Sequence, residues 1–154
     1  MTEKDLAPGQ LLDISGYYWK TCTLHAAVKL NVFGLIGDEQ LTAETLADRL
    51  GADKDALERL LNALAAMALI RKSGGYFENT RTGKQYLCPD SPDYIGWMII
   101  HHYHLLPSWS QLDQGVISGR PVGDSAANTS KEWREAFLKG MHTNARLQAP
   151  AVAA

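Results

Sequence analysis

Leu41–Asn79, LTAETLADRLGADKDALERLLNALAAMALIRKSGGYFEN, is the stretch that decides the fold. It reads as a helix, a tight turn, a second helix and a hairpin. Thr42 stands where an N-cap is needed, because its hydroxyl accepts an orphan backbone N–H of the first turn. Leu41 just before it and Leu46 form the pair of a hydrophobic staple. Leu46, Ala47 and Leu50 give this short helix a buried face. Gly51 ends it, since glycine adopts the left-handed conformation of a C-cap at little cost. Asp53 caps the second helix, in which Leu57, Leu60, Leu61, Leu64 and Met67 recur three or four residues apart as one apolar stripe. Ile70 and Tyr76-Phe77 flank Ser73-Gly74-Gly75, a hairpin tip. Thr80 caps a further short helix, Arg81 to Tyr86.

The fold class that follows is mainly α. It is a winged helix-turn-helix with a small two-stranded β wing, plus additional N- and C-terminal helices. Such modules commonly bind DNA, and phosphate contacts would then demand a basic face. From Asp38 to Pro89 there are seven Lys/Arg against eight Asp/Glu. The second helix exposes Asp53, Asp55 and Glu58 beside Lys54 and Arg59, then Asn62, Ala65 and Ala66, with no Arg or Gln to read a base edge. Arg71 and Lys72 in the wing and Arg81 and Lys84 after it keep a DNA-binding transcriptional regulator as the alternative reading.

The whole chain has 154 residues, a net charge of −2 and 45% hydrophobic residues, the profile of one soluble globular unit. That balance argues against nucleic acid or an anionic membrane as the main partner. No run approaches the ~18 apolar residues of a membrane span, and MTEKDLAPGQ has no signal-peptide core. Cys22 and Cys88 match no metal spacing, so a reducing, cytoplasmic setting is expected.

Upstream of the module, Pro8 suits a first helical turn. Leu11, Leu12, Ile14, Tyr17, Tyr18, Trp19, Cys22, Leu24, Ala26, Ala27, Val28 and Leu30 then spread around more than one side of a helix that can bend or break at Gly16. A helix apolar on two sides needs a second cover. A second copy of the chain is the expected cover, with Tyr17, Tyr18, Trp19, Leu24 and Val28 at the interface. The alternative is a helix wholly enclosed in one fold. Asn31–Gly37 is a short helix or turn whose Val32, Phe33, Leu35 and Ile36 pack under the module.

Downstream, Cys88–Pro92 reads as a linker, with Ser91 as cap and Pro92 at the first position of the next helix. That helix holds Tyr94 to Leu106, and Pro107 kinks or ends it. Ser108–Ile117 forms another helix, Gly119–Asp124 a loop, and Ser130 caps a last helix with Trp133, Phe137, Leu138 and Met141 on one stripe. Pro150 can bend it. Apolar Ala145, Leu147, Ala149, Val152 and Ala153 continue to the end, so the chain is expected to stop inside an element of something longer.

Chemistry-bearing patterns are few. The histidines are His25, His101, His102, His104 and His142. On a helix His101 and His104 share a face while His102 points elsewhere. No Asp, Glu or Cys lies within a turn to complete a tetrahedral set, so no metal is expected. No phosphate-cradling glycine loop or nucleophile motif is present. The late aromatics Trp97, Tyr103, Trp109, Trp133 and Phe137 are read as core, or as the lining of an apolar ligand site in a small-molecule binding module.

Taken together, LHAAVKLNVFGLI, LTAETLADRLGADKDALERLLNALAAMALI and the GGYFENTRTGKQYL wing resemble the N-terminal dimerisation region of S-adenosylmethionine-dependent O-methyltransferases of the plant caffeic acid and bacterial natural-product type. WREAFLKGMHTNARLQAPAVAA resembles the helix that leads from that region to the catalytic domain. The resemblance runs from about Leu11 to Ala154. It implies a homodimerisation module over residues 1–90 and a helical extension over 91–154, leading toward a Rossmann-like domain that holds S-adenosylmethionine and is absent here. It further implies that Phe137, Met141 and Asn144 border the pocket of a small, aromatic, hydroxyl-bearing acceptor, with Trp97, His101 and Trp109 on its far wall. The family's catalytic base has no counterpart in the sequence, so this chain alone is expected to bind no cofactor and to be inactive.

Overall fold

The computed structural model describes residues 5–123 and 130–152, with side chains described as far as residue 149. Asp124 of the expected loop and Ala153 of the apolar tail lie outside the described residues, as does the side chain of Val152. The element order is α1 (Pro8–Lys29), α2 (Val32–Ile36), β1 (Leu41–Thr42), α3 (Ala43–Leu50), α4 (Lys54–Ala66), β2 (Ile70–Ser73), β3 (Tyr76–Asn79), a π-helical turn (Gly83–Leu87), α5 (Gly96–Trp109), α6 (Leu112–Ser118) and α7 (Lys131–Val152).

The central module forms as its local chemistry dictates. Thr42 Oγ1 accepts the Thr45 N–H at 3.2 Å, and Asp53 Oδ1 accepts the Ala56 N–H at 2.7 Å. Gly51 closes α3 at φ +63°. Thr80 Oγ1 accepts the Gly83 N–H at 3.2 Å, but the turn it starts widens into π geometry at Gly83–Leu87. The wing gains a strand. Leu41 and Thr42 pair antiparallel with Phe77 and Tyr76, giving a three-stranded sheet in the order β1-β3-β2 in place of a two-stranded wing. The residues entering α3 are already extended at the cap, so they lie naturally along the sheet edge.

The core is one cluster. Val32, Phe33 and Ile36 of α2 lie against Leu46, Leu57, Leu61, Leu64, Ile70 and Phe77, all buried. Asn79, itself buried, donates from Nδ2 to the carbonyls of Phe33 (2.8 Å) and Gly37 (3.0 Å), fastening the wing to the end of α2. Ala68 bridges α4 and β2 in the left-handed region at φ +57°.

Three expected boundaries move. Gly16 does not break α1, which is continuous over 22 residues; one glycine in an exposed helix costs only about 1 kcal/mol. Pro92 does not open a helix: Ser91–Asp93 is a turn, with Ser91 Oγ accepting the Asp93 N–H, and α5 starts at Gly96 after Ile95 N–H bonds to Tyr86 O. Pro107 sits inside α5, which ends at Trp109, so the next helix begins at Leu112 rather than Ser108. In a last turn a missing N–H is tolerated, because only one bond is lost, and Ser110 Oγ and Gln111 Nε2 both donate to Pro107 O. Ser130 Oγ caps α7 at the Trp133 N–H, and α7 continues through Pro150. Among the described residues no helix is long and apolar enough to cross a membrane.

Candidate functional site

Two surfaces carry more apolar side chain than the fold consumes. The first is the front half of α1. Leu11, Leu12, Ile14, Tyr17, Tyr18 and Trp19 are each more than half exposed, with Trp19 at 66%. The first buried side chain of the helix is His25, followed by Ala27 and Val28. Of the five expected interface residues, Tyr17, Tyr18 and Trp19 face outward and Leu24 packs half-buried against the core. Val28, at 7% exposure, packs into this chain's own core, on the face through His25 that α1 lays on α5, α2 and α4.

The second surface is built where α7 crosses α5. The apolar stripe read from the sequence is not the packing face. Ala136, Gly140 and Thr143 are the buried positions of α7, while Phe137, Leu138 and Met141 remain exposed. The crossing is close: a Cβ at Gly140 would lie 3.1 Å from Met98 Cα and 3.2 Å from Met98 N. Small residues let the helix backbones meet, and the large side chains are left to point elsewhere.

That rotation divides the expected pocket residues. The His101 ring lies 5.1 Å from the Phe137 ring, and helix periodicity puts Met141 and the half-buried Asn144 on the same side of α7. Asn144 Oδ1 accepts from Gln148 Nε2 at 3.0 Å. Trp97 lies in a different cleft of about 420 Å³ with Tyr94, Leu138, Lys139, His142 and Arg146. Trp109, 65% exposed, lines a hollow of about 380 Å³ with Leu112, Val116 and Val122. His101, Phe137, Met141 and Asn144 therefore form one wall, which Trp97 and Trp109 do not join.

A contact chain between helices escaped the sequence reading. Lys29 Nζ of α1 sits 3.9 Å above the Tyr103 ring. Tyr103 meets His25 edge-on at 6.1 Å, and His104 stacks on Trp133 of α7 at 5.6 Å. No spacing in the sequence signals contacts between separate helices. Burial lowers the pKa of His25, His101 and His104 below the ordinary imidazole value, with His102 adding to the first two, His104 adding at His101, and Lys29 acting on His104. All three therefore favour the neutral form more than a free imidazole does, and the Nδ1 atoms of His25 and His101 are buried without a partner. An apolar wall carrying a neutral imidazole can hold a planar ring and exchange one hydrogen bond with it. Among the described residues no group of three His, Cys, Asp or Glu is placed to hold a metal.

The basic residues of the wing are largely engaged. Arg71 pairs with Glu78, Lys72 with Glu58, and Lys84 with Asp38. Little unpaired positive charge is left there to neutralise phosphate.

Comparison with known proteins agrees with this architecture. Residues 12–88 match the O-methyltransferase dimerisation domain family. Over 153 residues the chain is 32% identical to a 3-hydroxy-5-methyl-1-naphthoate 3-O-methyltransferase of Streptomyces sahachiroi, covering 96% of this chain and 44% of that protein. It is 26% identical over 117 residues to the S-adenosyl-L-methionine-dependent methyl transferase PigF of a Serratia species, covering 75% and 34%. A solved structure of an O-methyltransferase family protein from Burkholderia thailandensis superposes with a TM-score of 0.83 at 29% identity, covering 97% of this chain and 45% of that one. The chain thus spans less than half the length of these relatives. Its capped helix pair, its wing and the family match over half its length agree: the chain belongs to the O-methyltransferase dimerisation domain family.

Proposed function

We propose that this chain is the pairing and acceptor-facing part of an S-adenosylmethionine-dependent O-methyltransferase that works as a homodimer on a small aromatic hydroxyl compound. Residues 1–90 would supply the pairing module and 91–154 the extension toward the catalytic domain. The observation that carries the reading is the exposed front half of α1. Tyr17, Tyr18 and Trp19 are 58%, 55% and 66% exposed. At about 200 Å² for each large ring side chain, they present roughly 350 Å², a large share of the ~800 Å² that each partner gives to a standard interface. Burying that area is worth about 9 kcal/mol before the costs of association.

The relatives support the chemistry. One is named for a hydroxynaphthoate, and PigF has been solved with SAH bound. S-adenosylmethionine supplies an electrophilic methyl group. The described residues do not fit it: their sheet is antiparallel and no glycine-rich strand-to-helix turn is present. This chain's own residues would shape the acceptor site, with Phe137 and Met141 excluding water and neutral His101 giving one hydrogen bond.

Sedimentation equilibrium at micromolar concentration tests the pairing. Twice the chain mass is expected, falling to a single mass in Trp19→Asp with an unchanged circular dichroism spectrum. A folded monomer of the unmodified chain would end the proposal.

A further inference from the structure

We propose that the cleft between the turn at residues 89–94 and α7 is a binding site for a planar aromatic carboxylate, separate from the acceptor-facing wall. The assignment stands apart from the methyltransferase reading. At about 100° per residue, Lys139, His142, Thr143 and Arg146 fall on the side of α7 opposite Phe137, Met141 and Asn144. The two surfaces are back to back on one helix.

The floor of this cleft is aromatic. Tyr94 and Trp97 meet edge-on, ring centroids 6.1 Å apart at 82°, which makes an L-shaped apolar corner. Its volume of about 420 Å³ lies within the range of ~300–1,000 Å³ usual for small-molecule sites.

The rim is cationic. Lys139 Nζ lies 4.0 Å from the Trp97 centroid and pairs with Glu135 at 2.6 Å, so it is held over the floor. Arg146 is less committed. Its Nη2 is 3.8 Å from Asp93 Oδ1, too far for a hydrogen bond, while Asp93 Oδ2 accepts from Gln85 Nε2 at 2.9 Å. The acids facing the cleft, Asp93 and Glu135, therefore leave the Arg146 fork with donors to offer. A guanidinium matches a carboxylate in a planar, two-bond geometry. An aromatic corner with an under-used arginine on its rim selects a flat ring bearing a carboxylate.

The test uses 2-naphthoate as probe and uncharged 2-naphthamide as its control, each titrated into the full chain and followed by amide and indole NMR. Trp97→Phe assigns the indole signal. Saturable shifts from 2-naphthoate are expected at the Trp97 indole and at residues 139–146. Affinity should fall about tenfold for 2-naphthamide and in Arg146→Gln, the loss of one charge-assisted interaction. The Arg146→Gln spectrum itself reports whether the fold is kept; Arg146 is half-exposed, so it should be. Equal affinity for the two probes, unchanged binding by Arg146→Gln, shifts centred on α1 or on His101 and Phe137, or no saturation at all would each overturn the assignment.

Discussion

Gly140→Ala sets two effects of known sign against each other. Replacing glycine by alanine inside a helix is intrinsically favourable by about 1 kcal/mol. At Gly140 the added methyl would stand 3.1 Å from Met98 Cα, 3.2 Å from Met98 N and 3.4 Å from the Trp97 carbonyl carbon. All three are backbone atoms of α5, so no side chain can swing aside; α5 and α7 must separate by a few tenths of an ångström. Overpacking of this kind costs about 1–3 kcal/mol. The packing term wins, and a net loss of roughly 0–2 kcal/mol is expected for alanine, with a larger loss for Gly140→Val. Urea unfolding followed by circular dichroism measures it, and for a chain of this size 1 kcal/mol moves Tm by about 2–4 °C. The same separation draws Phe137 away from His101, now 5.1 Å apart, so ring-current shifts of the His101 protons should shrink in step. A variant Gly140→Ala more stable by the full 1 kcal/mol, with those shifts intact, would refute the close-crossing argument.

Three further outcomes follow from other parts of the fold. Asn79→Ala removes the side-chain donor to the Gly37 carbonyl and one of three donors to the Phe33 carbonyl, which keeps the Gly37 N–H and the Cys88 thiol, and should cost about 1–3 kcal/mol in urea unfolding; a loss under 1 kcal/mol would show the bridge to be dispensable. Ala68→Gly should stabilise by about 1 kcal/mol, since Ala68 holds a left-handed conformation that alanine resists; any loss of Tm would contradict this. His25, His101 and His104 have folded-state pKa values below those of the unfolded chain. The unfolded chain therefore takes up protons first as pH falls. Their contribution is complete above the ordinary imidazole pKa and is lost as pH drops from there toward the folded values. The urea midpoint should be lower at pH 5.5 than at pH 7.5, above the range where the surface carboxylates titrate; an equal or higher midpoint at pH 5.5 would exclude the effect.

Local chemistry was readable and rotation was not. Thr42, Gly51, Asp53, Thr80 and Ser130 act within three or four residues of themselves, so the sequence places them and the structure agrees. The exposed Tyr17, Tyr18 and Trp19 were legible because a helix apolar on two sides leaves one uncovered. The place of Val28 in the core was not legible, because periodicity shows that a face exists without showing which neighbour it meets. Trp97 was separated from His101 for the same reason: which side of α7 lies on α5 is set by Gly140 and Ala136, and small residues leave no trace in a hydrophobicity pattern. The third strand was missed because two residues are too few for alternation to appear. The family resemblance supplied what spacing alone did not, the expectation of a following cofactor-binding domain.

The seam of Ala136, Gly140 and Thr143 has an evolutionary consequence. Helix α7 is anchored by its smallest side chains and by Trp133, so three other large ones, Phe137, Leu138 and Met141, are left exposed. Exchanges at such exposed positions usually change stability by less than about 0.5 kcal/mol. A scaffold arranged this way can change what that surface presents, one residue at a time, without first having to survive its own unfolding.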